Sequence, residues 1–136
     1  TRARMSIKVG IIVVDSQVQF AHENLSPLSE SLKLMGCSEQ NILVRHSPSV
    51  YNVPLTVQFY AEYTDVDAVI VLAENDQTAE YNSMLYGVTR LQMLWNMPVL
   101  IGGVGVAADA VEMVRMQNEM EAAAPEYNSA DRKSIN

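Results

Sequence analysis

The sequence predicts an α/β fold of three layers, in which helices cover both faces of a four-stranded parallel sheet. Four short apolar runs, rich in β-branched residues, alternate with segments of helical periodicity. The runs have no polar face, which is typical of strands that are buried on both sides. The connections are short, so right-handed βαβ crossovers are expected, and we predict the flavodoxin-like strand order 2-1-3-4.

The first strand and the first helix carry clear signals. Ile7–Val14 is a continuous apolar run, which predicts a buried strand. The polar residues 15–24 then predict a loop. Ser26 and Pro27 predict the start of a helix, with serine as the N-cap and proline at the first helical position. Gly36 predicts the end of that helix.

The rest of the chain continues the same alternation, without a repeat or a domain linker. Asn52 is predicted to cap the second helix with its side chain. The remaining elements are predicted to be a strand at Asn41–His46, a helix at Val53–Tyr63, a strand at Ala68–Ala73, a helix that follows the polar loop Glu74–Glu80 and ends near Asn96, a strand at Pro98–Val104 and a helix at Ala107–Ala124. Along one side of the last helix we predict Ala110, Met113, Val114, Gln117 and Met120.

Composition and charge limit the possible classes of function. The 136 residues are 49% hydrophobic, which is enough for one core, and we predict a single domain at 7–124 between a short N-terminal segment (1–6) and a polar tail (125–136). A net charge of −7 without a basic cluster argues against nucleic acid and anionic membranes as partners. No apolar run approaches the roughly 20 residues that cross a bilayer. The single cysteine, Cys37, cannot form an internal disulfide, has no basic neighbour and is predicted to be structural. We therefore expect a soluble, intracellular protein.

The first residues leave the compartment open. Arg2 and Arg4 precede the first strand, and no acidic residue stands before that strand. This pattern suits the remnant of a transit peptide cleaved on entry into a plastid or mitochondrion. An artificial or truncated start of the chain explains the same residues equally well.

The predicted strand order places a switch point between the first and third strands, where ligands bind in this class of fold. The loops that meet there, 15–24, 47–52 and 74–80, contain no glycine, lysine or arginine. A phosphate site usually needs glycines for close backbone approach and a cation. Glu74 and Asp76 stand in the third loop instead. We expect these acids to solvate and cap the start of the third helix, and to repel an anionic ligand.

Other polar residues near the switch point offer only incomplete sites. Asp15 could approach Glu74 or Asp76 across the sheet, but two or three carboxylates hold magnesium loosely, and we predict no metal site. His22 is predicted to be a solvated loop histidine, and His46 to cap or pack at the end of the second strand. No triad, metal or redox motif is present. We therefore predict neither a catalytic residue nor a cofactor.

Methionines are frequent on the third and fourth helices, which hold most of the eight in the chain. Methionine on more than one side of a helix suits either core packing or a subunit interface. Tyr86, Met93 and Trp95 on the third helix would be the anchors of such an interface. The helix therefore suits a ring-like homo-oligomer or a subunit of a larger complex.

Three stretches carry a family resemblance: 13–25 (VVDSQVQFAHENL), 47–55 (SPSVYNVPL), and 67–72 with 87–99 (DAVIVL and GVTRLQMLWNMPV). Their order and spacing resemble the 6,7-dimethyl-8-ribityllumazine synthases, which catalyse the penultimate step of riboflavin synthesis. The resemblance covers about Ile7 to Ala124. It implies the fold of that family, a substrate pocket at the switch point, and cyclic pentamers in which neighbours share the sites.

The family's pocket residues are mostly replaced at the matching positions. Gln17 stands where an aromatic ring stacks on the pyrimidine, with Val18 where asparagine is usual, and Phe20 falls on a neighbouring position. In the second loop the family has Pro-Gly-Ala-aromatic-Glu, with the glutamate holding the ribityl chain. Here Ser49 replaces the glycine, Tyr51 keeps the aromatic ring, and Asn52 replaces the glutamate.

The third loop departs further from the family. The family has a glycine-rich phosphate turn and a histidine general base there, whereas this chain is shorter and carries Glu74 and Asp76. Arg115 is the only cation near the position of the family's phosphate-binding arginine. The resemblance therefore implies a lumazine synthase-like protein without catalysis that serves as a structural subunit. The alternatives are an active lumazine synthase with an unusual site, and a module that binds flavin or lumazine without turnover.

Overall fold

The computed structural model describes residues 6–125 and confirms the predicted α/β fold. Four parallel strands form one sheet in the order β2-β1-β3-β4, which is the predicted order. The strands are β1 (Val9–Val14), β2 (Ile42–Ser47), β3 (Ala68–Leu72) and β4 (Val99–Gly102), and the helices are α1 (Val18–Leu34), α2 (Val53–Tyr63), α3 (Ala79–Trp95) and α4 (Val106–Ala123). Almost all of the predicted N-terminal segment and polar tail lies outside the described residues. None of the described helices is long and apolar enough to cross a membrane.

Each face of the sheet has its own apolar core. Ile12 packs in the core beneath α2 and α3, whereas its neighbour Ile11 packs in the core beneath α1 and α4. Successive side chains of a strand point to opposite faces, so β1 and β3 divide their residues between the two cores. This explains why both strands read as uninterrupted apolar runs in the sequence.

The first helix begins at Val18, so the predicted start at Ser26 and Pro27 is wrong. A short 3-10 turn at Asp15–Gln17 leads directly into α1. Most of the loop predicted at 15–24 is therefore helical as well. Pro27 lies inside the helix, where it lacks the N–H that would bond the preceding turn.

Tertiary packing explains why α1 continues past its proline. Ala21, Leu28 and Leu32 are buried on one side of the helix, with Ala21 before Pro27 and the two leucines after it. Most of the stability of a protein helix comes from such an apolar face rather than from local propensity. Because this apolar face extends on both sides of Pro27, its burial outweighs the free-energy cost of the missing hydrogen bond.

The residues predicted along one side of α4 differ in their burial. Ala110 and Val114 are buried. Met113 and Met120 are exposed on another part of the helix surface. The other predicted elements differ from the structure by only a few residues at their ends, as in β1, which begins at Val9 rather than Ile7.

A tyrosine from α2 fills the space that a side chain at Gly10 of β1 would occupy. Tyr60 is only 3% exposed, and its hydroxyl donates to the carbonyl oxygen of Leu43 at 2.6 Å, with that of Ile11 at 3.1 Å. Burial raises the pKa of Tyr60 to about 12. The ring and its hydroxyl therefore fix α2 across β1 and β2.

Cys37 is buried between α1 and β2. Burial raises the pKa of its thiol, and the nearby Asp67 carboxylate raises it further, whereas Arg115 lowers it. The thiolate is the reactive form of cysteine, so this environment suppresses reaction. The location agrees with the predicted structural role.

Candidate functional site

The carboxyl ends of β1, β2 and β3 meet at the switch point between β1 and β3. The segments that follow these strands are the 3-10 turn at Asp15–Gln17, residues 48–52 and residues 73–78. The first two are joined directly, because the backbone N–H of Ser16 donates to the carbonyl oxygen of Pro48 at 3.1 Å. The three segments of the predicted site are therefore neighbours in the structure.

Gln17 connects the first segment to the third through both atoms of its side-chain amide. Its Nε2 donates to the carbonyl oxygen of Glu74 at 3.0 Å, and its Oε1 accepts the backbone N–H of Glu74 at 2.9 Å. The amide thus pairs with the backbone as a neighbouring strand would. Gln17 is committed to holding the loop, and its amide group is not free for a ligand.

We predict that Gln17→Ala lowers the free energy of unfolding by about 1–2 kcal/mol, because two hydrogen bonds to backbone groups are lost. The amide hydrogen of Glu74 should exchange faster with solvent in this variant. Urea unfolding and hydrogen exchange measure the two effects. Gln19→Ala is the matched control, since the exposed Gln19 amide donates to Glu23 within α1. Equal effects of the two substitutions would contradict the role given to Gln17.

Val18 and Phe20, which were also predicted as pocket residues, lie on α1 rather than on a loop. Val18 is the first residue of the helix and is 70% exposed. Phe20 is half-buried and packs against the core beneath α1 and α4. The Phe20 ring lies close to Gly103 in the segment after β4, where an added Cβ would meet it at 3.3 Å. The ring is therefore used in packing.

The second segment contains a short 3-10 turn at Val50–Asn52. The Ser49 hydroxyl donates to Oδ1 of Asn52 at 2.9 Å. The predicted capping of α2 by the Asn52 side chain is wrong, because no such hydrogen bond forms and Asn52 already has helical dihedral angles. Tyr51 is 69% exposed. It is the one aromatic ring of the predicted pocket residues that points away from the core.

The third segment turns its acidic side chains to solvent. Asp76 accepts hydrogen bonds from the backbone N–H and the hydroxyl of Thr78 at 3.2 and 2.7 Å. The Thr78 hydroxyl bond is the main cause that lowers the pKa of the Asp76 carboxyl. Thr78 in turn caps α3 by accepting the N–H of Tyr81. The prediction that an acidic residue caps α3 is therefore wrong, because the cap is Thr78. Glu74 is exposed.

One pair at the site was missed by the sequence reasoning. His46, near the end of β2, places its Nδ1 atom 2.7 Å from Oδ1 of Asp15. Both side chains are more than half exposed. His22, predicted in a loop, lies on α1 and lines the same surface depression of about 590 Å³ as Asp15 and His46. The depression is thus lined by two histidines and two carboxylates, Asp15 and Glu30, but no group of three metal-ligating residues forms a metal site within residues 6–125.

Two cations lie near the three segments. Arg45 of β2 lines a surface depression together with Pro48 and Asn52, and Lys33 lines the depression that holds Asp15 and His46. Lys8 is paired with Asp65, and Lys33 with Glu30 and Glu39. Arg115 acts electrostatically on Cys37, which precedes β2. It therefore lies towards the amino end of the strands, opposite the switch point. Within the described chain, the three segments themselves contain no lysine or arginine.

The family model described as 6,7-dimethyl-8-ribityllumazine synthase matches residues 6–131. No curated protein matches the chain significantly.

Proposed function

Because this chain belongs to the 6,7-dimethyl-8-ribityllumazine synthase family, we propose that it is a structural member, which keeps the family's fold and self-association but does not form lumazine. The two hydrogen bonds between Gln17 and Glu74 carry this proposal. They tie up the side chain at the position where the family resemblance implies a stacking ring. The same bonds hold in place the loop where the resemblance implies a phosphate turn.

The chemistry of the site supports the same conclusion. Enzymes accelerate a reaction only through interactions that are stronger in the transition state than in the ground state. The resemblance places Gln17, Asn52 and Glu74 where the family has its stacking ring, ribityl glutamate and phosphate turn, and residues 73–78 contain no histidine. These differences support the proposal. Loss of one such polar contact typically costs about 3 kcal/mol of transition-state stabilisation. When several groups act as a unit, restoring one of them alone does not restore the rate.

A lumazine assay tests the catalytic half of the proposal. The purified protein is mixed with the pyrimidine and the four-carbon phosphate, and lumazine absorbance is followed against an active lumazine synthase and a protein-free mixture. We expect the protein-free rate. A faster rate that rises with protein concentration would contradict the proposal and favour an active enzyme with an unusual site.

Two further measurements on the same sample test the structural half. Light scattering should show an oligomer at micromolar concentration, and a sharp monomer peak would contradict self-association. Equilibrium binding of lumazine or riboflavin should be absent. Tight binding without turnover would favour a ligand-binding module instead.

The acidic loop gives a prediction about anions. In the variant Glu74→Gln/Asp76→Asn, we expect inorganic phosphate to bind severalfold more tightly at low ionic strength, because two like charges are removed while Thr78 keeps its acceptor. Phosphate titration followed by NMR measures this. Glu62→Gln/Glu119→Gln removes equal charge from α2 and α4 and should leave phosphate binding unchanged. Millimolar binding of phosphate by the unmodified protein at residues 75–79 would contradict the inactive-site proposal.

A further inference from the structure

A second surface, at the opposite end of the sheet from the switch point, is lined by methionines. The last turns of α3 and α4 form a groove of about 620 Å³ beside Pro98, the residue that precedes β4. Its methionines are Met93, Met97, Met113, Met116 and Met120. Met97 is the buried member, and the other four are between 41% and 78% exposed. We call this feature the methionine groove.

The exposed methionines of α4 are not needed for its packing on the sheet. Ala107, Ala110, Val111 and Val114 form the buried side of that helix. Met113, Met116 and Met120 recur at i, i+3 and i+7, which places them in one stripe along another part of the helix surface. These exposed methionines line one groove, and exposed apolar side chains grouped in this way suit an interaction site. Unbranched, polarizable methionine side chains adapt to the shape of a docked helix.

Hydrogen bonds fix the floor of the groove. Asn96 ends α3 in a left-handed conformation, and the N–H of Met97 donates back to the carbonyl oxygen of Gln92 at 3.1 Å. Gln117 of α4 donates to the carbonyl oxygen of Asn96 at 2.9 Å. The two helix ends are thus tied together before anything binds. A groove formed in advance lowers the entropic cost of association.

The rim of the groove is negatively charged. Glu121 lines it directly, and Glu112 and Glu119 flank Met116 at i−4 and i+3 on α4. Neither α3 nor α4 has a basic residue in its last turn, so the partial negative charge of each helix end is not offset there. Arg115 and Arg90 are the cations of these two helices, and neither lines the groove.

We propose that the methionine groove binds one amphipathic helix of a partner protein, with the partner's apolar side chains on the methionines and its lysines or arginines towards the rim. This rests on the proposed structural function and adds the surface and the class of partner. A second copy docked through this same face is a poor occupant, because the glutamates of its own rim would meet those of this one. A basic amphipathic helix satisfies both the apolar stripe and the charge.

The test uses a synthetic peptide of about 20 residues, made of leucine and lysine with leucine at i, i+3, i+4 and i+7. Binding is measured by anisotropy of the labelled peptide and by fluorescence of Trp95, the only tryptophan, which lines a cleft that shares Asn96 and Met97 with the groove. Met113→Gln/Met116→Gln/Met120→Gln should weaken binding about tenfold or more. Leu34→Gln, on the exposed surface of α1, is the matched control and should bind normally. Circular dichroism checks that both variants fold.

The outcomes separate this inference from the structural function. A scrambled peptide of the same composition, and one with glutamate in place of lysine, should bind at least tenfold more weakly than the amphipathic basic peptide. Equal binding to the methionine and Leu34 variants would overturn the inference, since the attraction would then be general charge. Dissociation of an oligomer by the methionine substitutions would also overturn it, because a second copy would be the occupant. Lumazine formation in the separate assay would instead overturn the structural function.

Discussion

Gly10→Ala should be strongly destabilising, with a loss of about 3 kcal/mol in the free energy of unfolding. A Cβ at this position would lie 2.5 Å from Cε1 and 2.7 Å from Cδ1 of Tyr60. The ring cannot move aside easily, because it is buried and its hydroxyl donates to the carbonyl oxygen of Leu43. Domains of this kind are stable by only about 5–15 kcal/mol, so the change should be evident as a lower urea midpoint.

The matched control for this substitution is Gly105→Ala. No atom lies within 4 Å of an added Cβ at Gly105, and its φ of −62° is accessible to alanine. We expect a change of less than about 0.5 kcal/mol. If the Tyr60 ring is the obstacle, Tyr60→Leu should cost less in the Gly10→Ala background than in the natural chain. Additive costs would show that the strain arises elsewhere.

Ile11→Ala and Ile12→Ala should each lower the free energy of unfolding by about 2–5 kcal/mol, since each removes a fully buried side chain and leaves a cavity. The two residues are adjacent in the chain but belong to different cores. The sheet separates the two cavities, so the costs should add in the double variant.

Urea unfolding of the single and double variants measures these costs. Val44→Ala on β2 is the control, because Val44 is 38% exposed and its loss should cost far less. A double variant that is much less destabilised than the sum would mean that the two cores relax together. A cost below about 1 kcal/mol for either single substitution would contradict the burial of that face.

The strands and their order follow from local signals, whereas the start of α1 does not. Runs such as Ala68–Leu72 have no polar position, and only a strand covered on both faces needs that pattern. Ser26 and Pro27 form a typical helix start, and their local preference favours a boundary there. That preference is overridden because Ala21, which precedes Pro27, is buried in the core together with residues of the sheet that are distant in the chain. A local reading contains no information about those contacts.

The candidate site, too, could be predicted only in part from the sequence. The three segments could be placed from the strand order, because the carboxyl ends of parallel strands meet at one edge. The contacts of Gln17 with Glu74 and of His46 with Asp15 could not be predicted, since they join residues far apart in the chain. One signal for the second pair was available: the predicted order places β1 beside β2, so polar residues at their two ends become neighbours. The register, with Val13 opposite His46, completes that argument only once the structure is known.

The buried thiol of Cys37 can report local opening of the structure. Only one cysteine is present, so any thiol-specific reagent reports on a single place between α1 and β2. When closing is faster than labelling, the rate of modification equals the intrinsic thiol rate multiplied by the fraction of molecules open at that place. The rate therefore converts into the free energy of the local opening without any engineered probe. Measured across denaturant, it would show whether this corner opens alone or only with the whole domain.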